Sequence, residues 1–214
     1  MRSYKQFCAL ARTLDVLGER WTLLLIRELL LGPRRFTDLL SGLPGIAPNL
    51  LSDRLRALET QGVISRATLP PPAGARVYEL TERGRRLQPA LLELARWGMD
   101  PIQPPRADEH RQPGWYAIAL QAAFRPDLAR DLEETYAFVV DDVAFHLEVA
   151  DSRAHARYGT PQAPAFVLRT SLANFLAIAT GTRPPHRSEL QGSTGAFRRF
   201  ARLFPLPEPA ATTG

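Results

Sequence analysis

One cysteine, Cys8, occurs in 214 residues, so no disulfide can close within the chain, a usage that suits a reducing compartment. Lysine is equally scarce: Lys5 stands alone beside 26 arginines, and in such a chain Arg-rich solvated faces are ordinary. No apolar run approaches the roughly 20 residues that span a bilayer, and residues 1–15 lack the long apolar core of a secretory signal. A cytoplasmic location without membrane contact is expected. There is no Gly-rich phosphate loop, no G-x-S-x-G elbow and no H-E-x-x-H, and no nucleophile stands beside a base. Neither catalysis nor a cofactor is expected. His146 and Glu148 would share one face of a strand near His155, but no third ligand follows at a recognised spacing, so no metal is expected. With 45% hydrophobic and 23% charged residues, the composition is that of an ordinary soluble protein.

The net charge of +5 is unevenly spread. Residues 1–107 hold 16 Lys+Arg against 10 Asp+Glu, a net +6, and residues 108–214 hold 11 against 12, a net −1. The basic excess in the first half favours an anionic partner for that half.

That half has a readable centre. In residues 46–61, Pro48 fits a first helical position, and Leu51, Leu55 and Leu58 recur at steps of four and three, one apolar stripe of an amphipathic helix. Gly62 closes it where a left-handed residue is wanted. The opposite face carries Asn49, Ser52, Asp53 and Arg56. A shorter helix over 35–43, with Phe36, Leu39, Leu40 and Leu43 as its stripe, precedes it. A short helix, a turn and a polar-faced helix are the parts of a helix-turn-helix, whose second helix enters the DNA major groove. There Arg suits guanine and Asn suits adenine, while Asp53 must either accept from cytosine or hold an arginine. Residues 63–68 and 76–81 read as two strands turned by Pro70–Gly74, a wing in which Tyr78 and Leu80 share one face and Val77 and Glu79 the other. Arg34 and Arg35 at the entrance to the short helix, and Arg66 and Arg76 beside the wing turn, are expected at backbone phosphates. Arg54, beside the stripe, is expected at phosphate or at the domain's own acids. Upstream, helices are expected over 4–17, with Phe7, Leu10, Leu14 and Leu17 on one side, and over 21–31. Downstream, Thr81 caps a helix to about Trp97.

The series LGERWTLLLIREL (17–29), GPRRFTDLL (32–40), GIAPNLLSDRLRALETQGVI (45–64), VYELTERG (77–84) and LARWG (94–98) resembles the HxlR-type winged helix-turn-helix transcriptional regulators. The resemblance implies a DNA-binding regulator acting as a homodimer, with the first and last helices of this half as dimer contacts. Two departures stand out. Ala47 precedes Pro48 where the family usually has Ser or Thr, a cap loss of about 1 kcal/mol, and Ala9 follows Cys8 where many relatives have proline.

Residues 99–113 hold four of the 19 prolines and read as a linker. Beyond it, helices are expected over 115–124 and 127–134, and strands over 136–140, 143–149, 153–158 and 166–170. Two more helices follow, the first capped by Ser171 and stopped by Gly181, the second over 192–204. In the second strand, Phe145, Leu147 and Val149 alternate with His146 and Glu148, as on a half-buried strand. AFVLRTSLANFLAIATG (165–181) followed by LQGSTGAFRRFARLF (190–204) resembles sterol-carrier-protein-like domains, which implies a small α+β fold enclosing an apolar cavity for lipid-like ligands. Phe138, Phe145, Phe166, Phe175, Phe200 and Phe204 would then line that cavity, although aromatics at such spacings equally make a plain core.

The fold expected is α+β in two domains. Residues 1–107 form a winged helix-turn-helix, mostly α with a β-hairpin wing, and residues 108–214 a sheet-and-helix domain. The function expected is sequence-specific binding of double-stranded DNA by a homodimer, under the control of an apolar small molecule bound to the second domain. Two alternatives stay open. Cys8 would be the switch of a thiol-based redox regulator, or the winged helix would be an interaction module on a lipid-binding protein.

Overall fold

Apolar residues spaced three and four apart carry the chain through four helices before its first strand. In the computed structural model, which describes residues 3–100, 106 and 108–207, these are α1 (Ala9–Leu17), α2 (Thr22–Leu30), α3 (Phe36–Gly42) and α4 (Pro48–Thr60). The wing follows as β1 (Ile64–Thr68) and β2 (Arg76–Leu80), then α5 (Glu82–Arg85) and α6 (Gln88–Gly98). Two compact units divide within α6, Met1–Leu91 and Leu92–Gly214. Six of the fifteen residues of the expected linker, 101–105 and 107, lie outside those described, and the expected boundary at 107/108 falls at their edge.

The core of the first unit is built from the expected stripes. Leu51, Leu55 and Leu58 of α4 are 0–2% exposed, beside Leu25, Ile26, Leu29 and Leu39. Each such side chain contributes about 1.5–3 kcal/mol by leaving water. Gly62 follows α4 with φ +65°, as a helix-ending left-handed residue should. Three local expectations change. The first helix starts at Ala9, not at residue 4, and three residues of its expected stripe face outward: Phe7 is 94%, Leu10 66% and Leu14 40% exposed. In β2, Val77 and Leu80 are the buried pair while Tyr78 is half-buried. Tyr78 also exchanges backbone hydrogen bonds with Arg34 (2.8 and 2.9 Å), an isolated bridge at the edge of the two-stranded wing. The helix expected from Thr81 to Trp97 is two helices. Pro89 has no N–H for an i→i−4 bond and its ring crowds the preceding turn, so the chain breaks at residues 86–87 and restarts with Pro89 in the first turn of α6.

In the second unit, α7 (Pro113–Ala123) leads through a 3-10 turn (Pro126–Leu128) to β3 (Glu134–Val140), β4 (Val143–Ala150), β5 (Arg153–Tyr158) and β6 (Phe166–Thr170). Then come α8 (Leu172–Ala179), β7 (Leu190–Gly192) and α9 (Thr194–Leu203). The sheet order is β5-β4-β3-β6-β7, with β3 and β6 parallel and the other pairs antiparallel. The helix expected over 127–134 is the 3-10 turn, because Pro126 starts a turn that β3 interrupts at Glu134. The strand β7 was not expected: three residues ending at Gly192 carry too little pattern to register.

The ring contacts put α8 and α9 on one face of the sheet, against Tyr136, Phe138 and Phe145, and α7 packs over β4 and β5. Tyr136 is fully buried, and its hydroxyl donates to Glu134 Oε2 at 2.7 Å. Arg199 of α9 pairs with the same carboxylate and pins the helix to β3. The opposite face carries Ala137, Val139, His146, Glu148, His155 and Arg157.

Candidate nucleic-acid interface

Once Leu51, Leu55 and Leu58 turn inward, helical geometry sends positions 49, 52, 53 and 56 outward together. Pro48, Asn49, Asp53 and Arg56 are exposed and Ser52 is half-buried, so the expected polar face is brought together on α4. Ser52 Oγ donates back to the Pro48 carbonyl at 3.0 Å. Arg56 and Asp53 pair at 3.1 Å with side chains 71% and 63% exposed, so Asp53 holds an arginine. An exposed pair at this spacing is worth only about 0.2–0.5 kcal/mol, little enough for the guanidinium to leave it for a base edge.

The wing flanks this face. Arg66 is 63% exposed, pairs with Glu59 of α4 at 3.0 Å and lies over the Tyr78 ring at 5.7 Å. Arg76 is exposed opposite Thr68, and Arg35 is exposed at the start of α3, where its N–H bonds Asp38 Oδ2 at 3.1 Å. Arg34 departs from expectation. Its guanidinium turns inward, donating to the Asp38 carbonyl at 3.5 Å and lying 4.0 Å from Glu28 Oε2, with only 21% of the side chain exposed. A cation so held is poorly placed for phosphate. Arg54 takes the internal alternative as well, pairing with Glu19 at 2.9 Å.

The remaining candidates lie elsewhere. Phe138, Phe145, Phe166, Phe175, Phe200 and Phe204 meet in one layer, each no more than 2% exposed. Their rings touch one another: Phe138–Phe145 at 5.0 Å, Phe200–Phe204 at 5.2 Å and Phe138–Phe175 at 5.8 Å. Such pairs add about 0.5–1.5 kcal/mol each beyond area burial. Cys8 is exposed at the N-cap of α1. The backbone N–H groups of Ala11 and then Leu10, in the first turn of α1, lower the thiol's pKa, as helix N-termini do. His146 Nδ1 contacts the Gly159 carbonyl at 2.9 Å, and Glu148 lies 3.4 Å from its Nε2 and 3.5 Å from Arg157. Among the described residues no group of three or more His, Cys, Asp or Glu could hold a metal, and no helix is long and apolar enough to cross a membrane.

Among the engaged residues that escaped the sequence reading is Glu28, its carboxylate 1% exposed in the last turn of α2. The signal was present: Glu28 shares a helical stripe with Leu25 and Leu31, and an acid there has to be buried with a partner.

The model of the HxlR-like helix-turn-helix family matches residues 16–105. An uncharacterized HTH-type transcriptional regulator of Synechocystis, sll1512, is 41% identical over 93 residues, spanning 44% of this chain and 69% of its own length. The Bacillus subtilis regulator YvaP is 36% identical over 93 residues, 44% of this chain and 86% of its own. Among solved structures, the redox regulator HypR in its reduced form is similar at 32% identity and a TM-score of 0.40, over 44% of this chain and 92% of that one.

Proposed function

This chain belongs to the HxlR-like helix-turn-helix family, and we propose from that premise that it is a sequence-specific, DNA-binding transcriptional regulator acting as a homodimer. One observation carries the reading: the solvent face of α4 presents Asn49, Ser52, Asp53 and Arg56 beside the exposed wing arginines Arg66 and Arg76. An α-helix fits the major groove, where Arg56 can take guanine O6/N7 and Asn49 adenine N6/N7, while Arg35, Arg66 and Arg76 hold the backbone. The homodimer is supported by large apolar side chains left in water on two helices. Phe7 and Leu10 lie at and in α1, 94% and 66% exposed, and Leu94 and Trp97 lie in α6, 53% and 80% exposed. On each helix by itself, exposed apolar surface of this kind suits a partner. A two-fold dimer would set its recognition helices about 34–36 Å apart, one turn of DNA. Selection of genomic fragments by the purified chain tests this, with enrichment of a two-fold-symmetric site expected. Enrichment of no sequence, or a monomer by light scattering, overturns it.

We assign the sheet domain the sensing of an apolar small molecule, in the layer where the six phenylalanines meet. Because those rings touch one another, a ligand has to part them, and binding would reshape the layer. Saturable uptake of a fluorescent long-chain acyl probe is the expected result, and its absence refutes the assignment.

A second reading rests on Cys8. Its exposed sulfur, held toward thiolate by the Ala11 and Leu10 amides, suits a thiol switch on α1. Oxidant-dependent DNA release that persists in Cys8→Ser would dismiss it.

A further inference from the structure

We infer that the buried Glu28 is a positioning residue for the DNA-binding surface, setting both the wing and the turn that leads into α4. The inference rests on the DNA-binding reading for its function, while its geometry stands on the contacts of one side chain. Glu28 lies in α2 among Leu25, Ile26 and Leu29, all nearly fully buried. Its Oε1 accepts from Arg27 at 3.2 and 2.8 Å. Its Oε2 faces the Arg34 guanidinium at 4.0 Å and presses against the last residue of α3. A Cβ built on Gly42 would come within 2.6 Å of that oxygen. The carboxylate thus occupies the space where α3 ends and the chain turns toward α4.

Through Arg34 the same carboxylate reaches two further elements. The Arg34 guanidinium donates to the Asp38 carbonyl at 3.5 Å inside α3, and its backbone N–H and carbonyl pair with those of Tyr78 at 2.9 and 2.8 Å. Tyr78 belongs to β2, and its ring lies beneath Arg66. A shift of Arg34 therefore moves the wing strand and the arginine resting on it. One buried charge meets the end of α3 directly and, through Arg34, the first turn of α3 and the wing. A charge out of water fixes geometry more strictly than apolar packing, because its partners cannot slide without leaving it unpaired.

The test uses the full chain with two variants. Glu28→Gln keeps the shape and removes the charge, and Arg34→Met removes the cation. Amide exchange at Arg34 and Tyr78 is measured without DNA. Affinity is measured over a salt series for a mixed-sequence duplex and for a duplex selected by the parent chain. In both variants, exchange at position 34 and at Tyr78 should quicken while α4 amides such as Leu55 hold. Preference for the selected duplex should fall by about tenfold, the scale of one charge-assisted contact. The salt dependence should stay that of the parent, because Arg34 meets no phosphate. Unchanged exchange and preference in both variants overturn the inference. So does a salt slope reduced by about two in Arg34→Met, one phosphate per protomer of the dimer, which would place Arg34 on phosphate. If Glu28→Gln does not fold, Arg34→Met decides alone. A parent that binds neither duplex refutes the DNA-binding reading, and the exchange measurement then still judges the positioning role.

Discussion

Replacing Ala47 by serine should stabilise the first unit, because α4 begins without a cap. Ala47 sits at the N-cap with φ −76° and ψ 143°, the extended backbone from which a cap side chain turns back over the helix, and no side chain caps the first turn. The first helical bond, from Leu51 N to the Ala47 carbonyl, is made at 3.0 Å. Pro48 has no N–H to satisfy, so the open donors within reach of the introduced hydroxyl oxygen are the amides of Asn49 and Leu50. Ala47 is exposed, so the added hydroxyl meets no core atom. The gain is about 1 kcal/mol, within a range of about 0.5–2. For a unit of this size, that corresponds to a melting shift of roughly 4–8 °C. Calorimetry of the full chain should show the rise in the transition assigned to Met1–Leu91, with slower amide exchange at Asn49 and Leu50. An unchanged transition together with unchanged exchange at those two amides would refute the reasoning, since it would mean that the orphan donors already have partners.

Two further outcomes are expected. Arg56→Ala should weaken binding to a selected duplex by about 1–3 kcal/mol with little effect on melting, because Arg56 is exposed and only weakly paired; competition binding measures it, and parental affinity would remove α4 from the groove. In the second unit, Glu189 accepts from Arg183 at 2.7 Å and Thr170 at 2.5 Å, and these bonds hold its carboxyl down to about 2 from an ordinary 4.5. A lowered carboxylate contributes stability in full above about pH 4.5 and loses it as the pH falls toward 2. Urea midpoints taken between pH 6 and pH 2 should therefore fall more steeply in the parent than in Glu189→Gln, and parallel acid limbs would contradict the assignment.

What could be read in the sequence depended on whether a residue's fate was set locally. The stripe Leu51–Leu55–Leu58 fixed both the inner face of α4 and, by exclusion, its outer one, so the candidate interface was legible. The arginines were not, since their partners come from neighbouring or more distant elements and not from their own helix or strand. Arg54 meets Glu19, Arg66 meets Glu59 and Arg34 meets Glu28, and no spacing rule distinguishes a held guanidinium from an offered one. The stripe of α1 misled for a related reason. Apolar spacing shows that Phe7 and Leu10 want burial, but not whether the burying surface belongs to the same chain. The second unit's strands were found by alternation, yet β7 was too short to show it.

The division of the arginines leads to one number. Arg35, Arg66 and Arg76 are exposed, so a dimer offers six of these guanidinium groups to phosphate. Each neutralised phosphate contributes about −0.9 to the slope of log affinity against log salt, so these side chains account for a slope of about −5. Had Arg34 and Arg54 also faced the DNA, the same count would reach ten and the slope about −9. Over a range of about 50 to 200 mM salt, binding to a mixed-sequence duplex would fall by about two more powers of ten with the steeper slope than with the shallower one. A slope near −9 would mean that the internal pairs with Glu28 and Glu19 open when DNA binds. A slope near −5 that falls by about two in Arg66→Ala, one phosphate lost per protomer, would place the wing on the backbone and leave Arg34 and Arg54 as parts of the scaffold.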